Sequence, residues 1–264
     1  MITKRQRKRQ SQAIVPTSAS ETISSIADLL QHLPFFDTSA PIWFRGQTNH
    51  DWNLMPSLLR KNSPVMEISL LRRFKQVAHQ NLNYTPADDW EWLFLMQHHG
   101  IPTRLLDWSE SPLVALYFAV DSMKEPLVDG SLWILNPIML NTFANITLYN
   151  AADIPAAGDP TLEAYSPASV QNLTQGTKRP AACIGPRRFA RIRAQHGVFT
   201  VHHQDKTALD LVGEPPRRYL TKFRIPKESK ESLRKELELV RVNIATIYMD
   251  LDAVSNQICK ELNV

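Results

Sequence analysis

The chain has only two cysteines, Cys183 and Cys259, among its 264 residues. Two widely separated cysteines cannot form a disulfide framework and lack the spacing of a zinc site, so we interpret them as unpaired thiols in a reducing compartment. No apolar run reaches the roughly 18 residues that a membrane helix needs. The first residues, MITKRQRKRQSQ, lack the apolar segment of a secretory signal. These absences lead us to expect a cytoplasmic protein with no membrane partner.

Familiar catalytic motifs are also missing. The sequence contains no GxSxG, no P-loop, no GxGxxG and no Cys–His pair at a useful spacing. The neighbouring His98 and His99 point about 100° apart on a helix. Because no HExxH or HxH accompanies them, we predict no metal site. Hydrolase, kinase and dehydrogenase functions therefore have no support from motifs.

Positive charge is concentrated at the N-terminus. The formal net charge is +4, and five of the 30 basic residues lie near the start: Lys4, Arg5, Arg7, Lys8 and Arg9. Without them, 25 basic residues face 26 acidic ones, a formal charge of −1. We interpret residues 1–17 as a flexible basic arm, which either contacts nucleic-acid phosphates or is only a solvated tail.

The remaining residues, 18–264, are predicted to form a single α+β domain. Helical patterns dominate the first half and strand patterns the second, which excludes a repeated βαβ fold and favours a mixed or antiparallel sheet. Ser18 and Glu21 form a plausible capping pair for the first helix. Residues 141–178 show no clear periodicity, and we interpret them as either a long surface insertion or a small lid.

Alternation of apolar and polar residues, or a short apolar run, predicts strands at residues 41–46, 130–136 and 220–226. The segment FARIRAQHGVFTVHH predicts two more strands joined by a tight turn at His196 and Gly197. Near the C-terminus, NIATIYMDL predicts a last apolar strand or buried segment.

The most informative stretch is QHHGIPTRLLDWSESPLVALYFAV, residues 97–120. Gly100 and Pro102 end one helix, and Ser111 and Pro112 begin the next. This second helix, at about residues 112–120, is apolar on all sides and is therefore predicted to be fully buried. Polar residues between the two helices form either a satisfied internal network or a binding site.

Three charged residues are the central candidates. Arg45 lies on a predicted strand beside Gly46, which allows a backbone or a ligand to approach closely. The planar guanidinium of Arg45 suits a phosphate or an internal carboxylate equally well. Because buried charges must be paired, we expect Arg45, Arg104 and Asp107 to lie near one another.

Several segments resemble the FRG domain family of bacteria and phages: WFRGQ at residues 43–47, Pro56-Ser57-Leu58, WLFLMQHHGIPTRLLDWSESPLVALYFAV and RIRAQHGVFTVH. The resemblance covers roughly residues 25–252. It departs near its end, where the family often has Phe-Pro-Asp-Leu and this chain has Tyr248, Met249, Asp250 and Leu251. The family implies a bacterial or viral cytoplasmic protein that accompanies defence or mobile-element genes, and it implies no particular activity.

The chain is more distantly similar to ADP-ribosyltransferases, which place an Arg or His on an early strand and a Gln- or Glu-bearing turn on a later one. This resemblance implies NAD as a substrate and no tightly bound cofactor. Arg45 is expected to bind the pyrophosphate, and the further binding candidates are Gln97, His98 and Arg104.

Catalysis is the weak point of that second resemblance, because RIRAQHGVF lacks the Glu that usually stabilises the transition state. Asp107 and Gln195 are therefore the catalytic candidates, and Glu110 is another candidate carboxylate. The alternative is a non-catalytic recognition module that binds a nucleotide, nucleic acid or protein partner. A third interpretation is a purely structural network. A transferase needs a carboxylate exposed beside Arg45, whereas a binding module does not.

Overall fold

The computed structural model describes residues 22–36, 40–61, 66–121, 127–146, 148, 153–171, 176–188, 190–214 and 217–262. The basic arm and the predicted capping pair Ser18 and Glu21 lie outside these residues. The first described helix instead begins after Ser25, whose side chain accepts a hydrogen bond from the backbone N–H of Asp28 at 3.0 Å.

A six-stranded sheet forms the centre of the molecule, and every pair of neighbouring strands is antiparallel. This confirms the predicted α+β fold with one sheet. The spatial order is β4-β5-β2-β1-β3-β6. The strands are β1 (Trp43–Gln47), β2 (Leu105–Ser109), β3 (Gly130–Leu135), β4 (Ala181–Cys183), β5 (Gly197–Val201) and β6 (Leu220–Ile225).

The described helices occur in both halves of the sequence, so the expected concentration of helices in the first half is not evident. None of them is long and apolar enough to cross a membrane. They are α1 (Ile26–His32), α2 (Ser57–Arg60), α3 (Glu67–Ala78), α4 (Asp89–His98), α5 (Pro112–Val120), α6 (Pro137–Phe143), α7 (Ala190–Ala194), α8 (Lys230–Leu239), α9 (Ile244–Tyr248) and α10 (Leu251–Leu262).

Strands β1 and β2 pair at one position only, Phe44 with Ser109. In contrast, β1 pairs with β3 along all five of its residues. The two strands therefore diverge after Phe44, and the carbonyl groups along the facing edge of β2 are left without ladder partners from β1. This opening near the middle of the sheet positions the candidate site.

The predicted buried helix is α5, and its central residues are inaccessible, including Leu116 at 0% exposure. Leu113 and Tyr117 are partly buried against the same apolar cluster, so neither is left as an exposed patch. Pro112 occupies the first turn, and Ser111 accepts a hydrogen bond from the N–H of Val114 at 3.5 Å. The sequence signals for this helix are thus confirmed at both levels, its start and its burial.

Gly46 is required because the backbone of α5 lies directly on β1. A Cβ atom at this position would be 1.9 Å from the carbonyl oxygen of Ala115 and 2.5 Å from the amide nitrogen of Ala119. The close approach expected at Gly46 is therefore made by backbone atoms of the protein. Phe44, two residues earlier, packs into the same cluster, whereas the alternating position between them turns Arg45 to the other side of the strand.

Two predicted strands are wrong. The segment before the turn at His196 forms the short helix α7, in which Ile192 is buried and packs closely against Gly197. The C-terminal segment NIATIYMDL forms α9 and the start of α10, because Asn243 and Thr246 make a reciprocal capping box. In both segments the apolar pattern is too short to distinguish a strand from a short helix.

The described part of residues 141–178 is anchored to the core. Leu162 and Tyr165 are buried in a cluster with Phe94 and Phe199. The side chain of Asn141 donates to the carbonyl of Ala182 on β4 at 3.1 Å and accepts from its N–H at 2.7 Å. These contacts tie the start and the middle of the segment to the core.

Candidate functional site

An open cleft lies where β1 and β2 diverge, and residues from α2, α4, α5 and α7 complete its walls. Five of the six predicted site residues line it: Arg45, Gln97, His98, Asp107 and Gln195. Arg104 does not line the cleft. Residues from three distant segments of the sequence therefore converge on one open surface, as a binding site requires.

Arg104 is 4% exposed and belongs to a buried network. Its Nε donates to Glu67 Oε2 at 2.8 Å, and its backbone N–H donates to Glu67 Oε1 at 2.9 Å. The remaining guanidinium nitrogens donate to the carbonyl oxygens of Tyr165, at 2.9 Å, and His202. Its carboxylate partner is Glu67 and not Asp107, because a spacing of three along a strand places the two on opposite faces. We therefore assign Arg104 a structural role, not the ligand-binding role expected from its sequence position.

A chain of hydrogen bonds fixes Asp107. The N–H of Leu105 donates to Thr103 Oγ1 at 3.1 Å, so the Thr103 hydroxyl is free to donate to Gln97 Oε1, at 2.5 Å. This assigns the amide orientation of Gln97, whose Nε2 donates to Asp107 Oδ2 at 2.7 Å. The Asp107 residue is nevertheless exposed. The carboxylate is therefore held through one oxygen and presented to the cleft.

Arg45 is adjacent to this carboxylate. Its Nη1 donates to the main-chain carbonyl of Asp107 at 2.5 Å, which uses one of the carbonyls left open by the divergence of the strands. Its Nε is buried and has no hydrogen-bond partner within the described residues. Burial lowers the pKa of Arg45, Asp107 raises it, and nearby Arg60 lowers it. A bound anion offsets the cost of partly burying the cation.

The sequence did not single out two further arginines of the cleft, Arg60 at the end of α2 and Arg191 in α7. The guanidinium of Arg191 lies 4.5 Å from the ring centre of Tyr248. Burial lowers the pKa of His98, and the neighbouring charges of His99 and Arg191 lower it further. Arg45, Arg60 and Arg191 are called the cleft arginines below.

The cleft arginines differ from those on the neighbouring surface in their partners. Within the described residues, none of the three forms an ion pair with a carboxylate. Just outside the cleft, Arg187 contacts Glu110, and Arg188 lies 3.5 Å from Glu91. Cations that protein carboxylates do not neutralise are available to a ligand anion.

One wall of the cleft presents an exposed indole. Trp52 is 39% exposed and lies on the loop that follows β1. The loop is fixed directly after this residue: Gln47 Nε2 donates to the carbonyl of Asn53 at 3.3 Å, and the N–H of Leu54 donates to Asp210 Oδ1 at 2.7 Å. The ring is therefore presented from a restrained backbone. Sequence periodicity could not identify it, since an isolated loop tryptophan has no pattern.

Gln195 is anchored to two elements. Its Nε2 donates to the carbonyl of Ile247 in α9 at 3.2 Å, and its own carbonyl accepts from Ser109 Oγ in β2 at 2.6 Å. The amide donor of Gln195 is thus committed to the main chain. The position of this residue shapes the cleft wall between β2 and α9.

The histidines do not form a metal centre. Within the described residues, no group of three or more His, Cys, Asp and Glu side chains is arranged to hold a metal ion. His202 and His203 are both buried. Burial, with a smaller contribution from Arg104, lowers the pKa of His202 to about 3, so this ring is neutral at physiological pH.

The FRG domain model matches residues 40–126 of the chain. The matched segment is about a third of the sequence and contains β1, α4, β2 and α5. It therefore contains Arg45, Gln97, His98 and Asp107, and it supports the resemblance to the FRG domain family. No curated protein and no solved structure matches the chain.

Proposed function

We propose that the cleft binds NAD and that the protein transfers ADP-ribose from it to an acceptor. The observation that carries this proposal is the exposed carboxylate of Asp107, held beside the half-buried Arg45, whose Nε lacks a partner within the described residues. A transferase needs this pairing of an anion-binding group with a carboxylate at the reacting carbon. We further propose that it acts in the cytoplasm, in a bacterial or phage defence or toxin setting, as the family resemblance implies.

The proposed binding of NAD uses residues of β1, of α2 and of the loop between them. The guanidinium of Arg45 offers a planar set of donors to the pyrophosphate, and Arg60 adds a second positive charge. The exposed ring of Trp52 provides an apolar face on which a base can stack. A dinucleotide contains both anionic and aromatic groups, which matches this combination.

The reaction breaks the bond between the ribose C1′ and the nicotinamide nitrogen. Nicotinamide leaves neutral with the electron pair of that bond, and positive charge develops on the ribose. The Asp107 carboxylate stabilises this charge, because an anion in a restrained position needs little reorganisation during the reaction. The acceptor then forms the new bond to C1′ with its lone pair and releases its proton to solvent. Gln97 and Thr103 keep the carboxylate oriented.

The alternative is a recognition module that binds an anionic ligand without turnover. One observation favours it: among the described residues, three arginines line the cleft but only two carboxylates, Asp107 and Asp121. An excess of positive charge suffices for binding, and Gln97 already occupies one oxygen of Asp107.

The two functions are separated by measuring nicotinamide release from NAD and, in parallel, the affinity for ADP-ribose. Asp107→Asn should abolish nicotinamide release while ADP-ribose binding remains. Glu110→Gln is the matched control, because this carboxylate pairs with Arg187 outside the cleft. It should preserve both properties. Binding of ADP-ribose by the wild type, with no nicotinamide released in the presence of any nucleic-acid or protein acceptor, supports the recognition module.

A further inference from the structure

The sheet order places β2 between β1 and β5. Arg45 reaches the cleft from β1, and Arg191 reaches it from α7, the helix that leads into β5. Two cationic groups therefore line the cleft, one from β1 and one from the helix before β5, and β1 and β5 are the strands that flank β2. We infer that Arg191 and His98 form a second anion subsite, distinct from that of Arg45 and Arg60, which binds a phosphate of a nucleic-acid acceptor. This inference rests on the proposed transferase function.

The electrostatic neighbours of the two groups support their separation. The charge felt by Arg45 comes from Asp107 and Arg60. The charge felt by His98 comes from His99 and Arg191. Arg45 on β1 thus has Arg60 as its basic neighbour, whereas His98 at the end of α4 has Arg191, and all four residues line the same cleft as Asp107. A donor bound at one side and an acceptor at the other would meet at this carboxylate.

Tyr248 holds Arg191 in position. Its ring lies 4.5 Å from the guanidinium and packs edge-on against Phe118, with ring centres 6.4 Å apart. The bond from Gln195 to Ile247 fastens the same helix, α9, to the turn after α7. Stacking covers one face of the guanidinium and leaves its in-plane N–H groups able to donate to a phosphate.

A nucleic acid is favoured because positive charge continues outward from this subsite. The segment PRRFARIRA places Arg187 and Arg188 close before α7, with side chains 45% and 58% exposed. Arg187 pairs with Glu110, whose side chain is 43% exposed. Exposed ion pairs of this kind contribute at most about 1 kcal/mol, so phosphates can replace the carboxylate. A backbone with successive phosphates can use the whole series, whereas an isolated phosphate uses only Arg191.

The test uses two probes on the full chain. A fluorescein-labelled single-stranded DNA is titrated by anisotropy at several salt concentrations, and ADP-ribose is titrated by calorimetry. Arg191→Gln should weaken DNA binding about tenfold and lower the slope of log K against log salt by about 0.7 for one lost phosphate contact. It should leave ADP-ribose affinity within about twofold. Arg45→Lys should weaken ADP-ribose binding and leave the DNA affinity and its salt slope unchanged.

Control variants separate the subsite from general charge and from folding. Arg234→Gln removes the same charge from a surface arginine outside the cleft and should leave the DNA slope unchanged. Tyr248→Phe keeps the stacking ring and should bind DNA like the wild type, whereas Tyr248→Leu should weaken DNA binding in the direction of Arg191→Gln. Thermal melts confirm that each variant is folded.

The outcomes are distinguishable. Unchanged DNA affinity and salt slope in Arg191→Gln, or no DNA binding by the wild type at low salt, would overturn the nucleic-acid subsite. Transfer of ADP-ribose to protein alone would also overturn it, and the proposed transferase would remain. Loss of DNA binding in Arg191→Gln, in a protein that does not bind ADP-ribose, would leave the subsite and remove the transferase.

Discussion

Arg45 lies on β1, and Arg104 directly precedes the neighbouring strand β2. Arg104 is surrounded by four hydrogen-bond contacts, including two with Glu67, and no part of it lines the cleft. Arg45 has one contact, to a main-chain carbonyl, and its Nε has none within the described residues. An arginine whose guanidinium nitrogens all have partners holds the fold together, whereas one that forms no ion pair with a carboxylate is available to bind an anion.

The largest expected effect is the loss of unfolding free energy when Arg104 is replaced. Arg104→Met leaves the Glu67 carboxylate buried without its partner, which should cost about 3–5 kcal/mol of unfolding free energy. Arg45→Met, the matched variant, removes a buried cation that has no carboxylate partner and should cost less than about 1 kcal/mol. Urea denaturation of both proteins checks the difference. Equal losses in the two variants would contradict the division between structural and binding arginines.

Gly46 tests the rigidity of the strand that carries Arg45. Gly46→Ala places a methyl group against backbone atoms of α5, which cannot move aside as a side chain could, and should cost at least about 1–3 kcal/mol. Gly100→Ala is the control, since no atom lies within 4 Å of its Cβ position and only the backbone strain at φ +75° is paid. The expected cost there is about 1 kcal/mol. A smaller loss at Gly46 than at Gly100 would mean that α5 does not lie on β1.

His202, whose carbonyl accepts a hydrogen bond from Arg104, makes the stability of the protein depend on pH. Because its pKa is depressed to about 3 in the folded state, the unfolded chain binds more protons between about pH 6.5 and pH 3. Stability should therefore fall as the pH is lowered through this window, by up to about 1.4 kcal/mol per pH unit. Denaturation at pH 7 and pH 5 should show a loss that is smaller in His202→Asn than in the wild type. A loss of the same size in both proteins would exclude His202 as its source.

A smaller effect, on the reaction rate, is expected for Gln97, which donates to Asp107 in the cleft. Gln97→Leu removes the bond that orients Asp107 and should lower the rate of nicotinamide release about tenfold, with little change in KM. Gln97→Glu places a like charge beside Asp107 and should raise the pH at which the rate declines on the acid side. Thr103→Ser keeps the hydroxyl and serves as the control. A pH profile identical to the wild type in Gln97→Glu would show that Gln97 does not act through Asp107.

The smallest expected effect concerns the N-terminal arm. Deletion of residues 1–12 should leave the unfolding free energy unchanged, because their basic, polar sequence predicts a flexible arm. If the arm contacts nucleic-acid phosphates, the deletion should also flatten the salt dependence of DNA binding, while the effect of Arg191→Gln persists. Complete loss of DNA binding in the deletion variant would transfer the nucleic-acid site from the cleft to the arm.

Local signals in the sequence identified the elements with strong patterns. The cap at Ser111 and the unbroken apolar run after it predicted α5, and the alternation around Phe44 predicted β1. The polar residues between α4 and α5 were recognised as site candidates because they separate a helix end from a buried helix. These features depend on residues close together in the chain.

Features that depend on distant residues could not be predicted in the same way. The partner of Arg104 is Glu67, which lies 37 residues earlier at the start of α3, and no spacing rule connects them. The sequence pattern predicts a strand at Arg191, and it gives no sign that Arg191 lies beside Tyr248, 57 residues later. The cleft itself arises from a single-residue pairing of β1 with β2, which only the tertiary structure reveals.

The most direct test of the distinction between the two arginines is the affinity for ADP-ribose in Arg45→Lys, measured by calorimetry beside a thermal melt. Lysine keeps the charge but loses the planar set of donors. We predict that ADP-ribose binds at least about tenfold more weakly while the melting temperature stays within a few degrees of the wild type. Unchanged affinity together with a substantially lower melting temperature would show that Arg45, like Arg104, serves the fold and not a ligand.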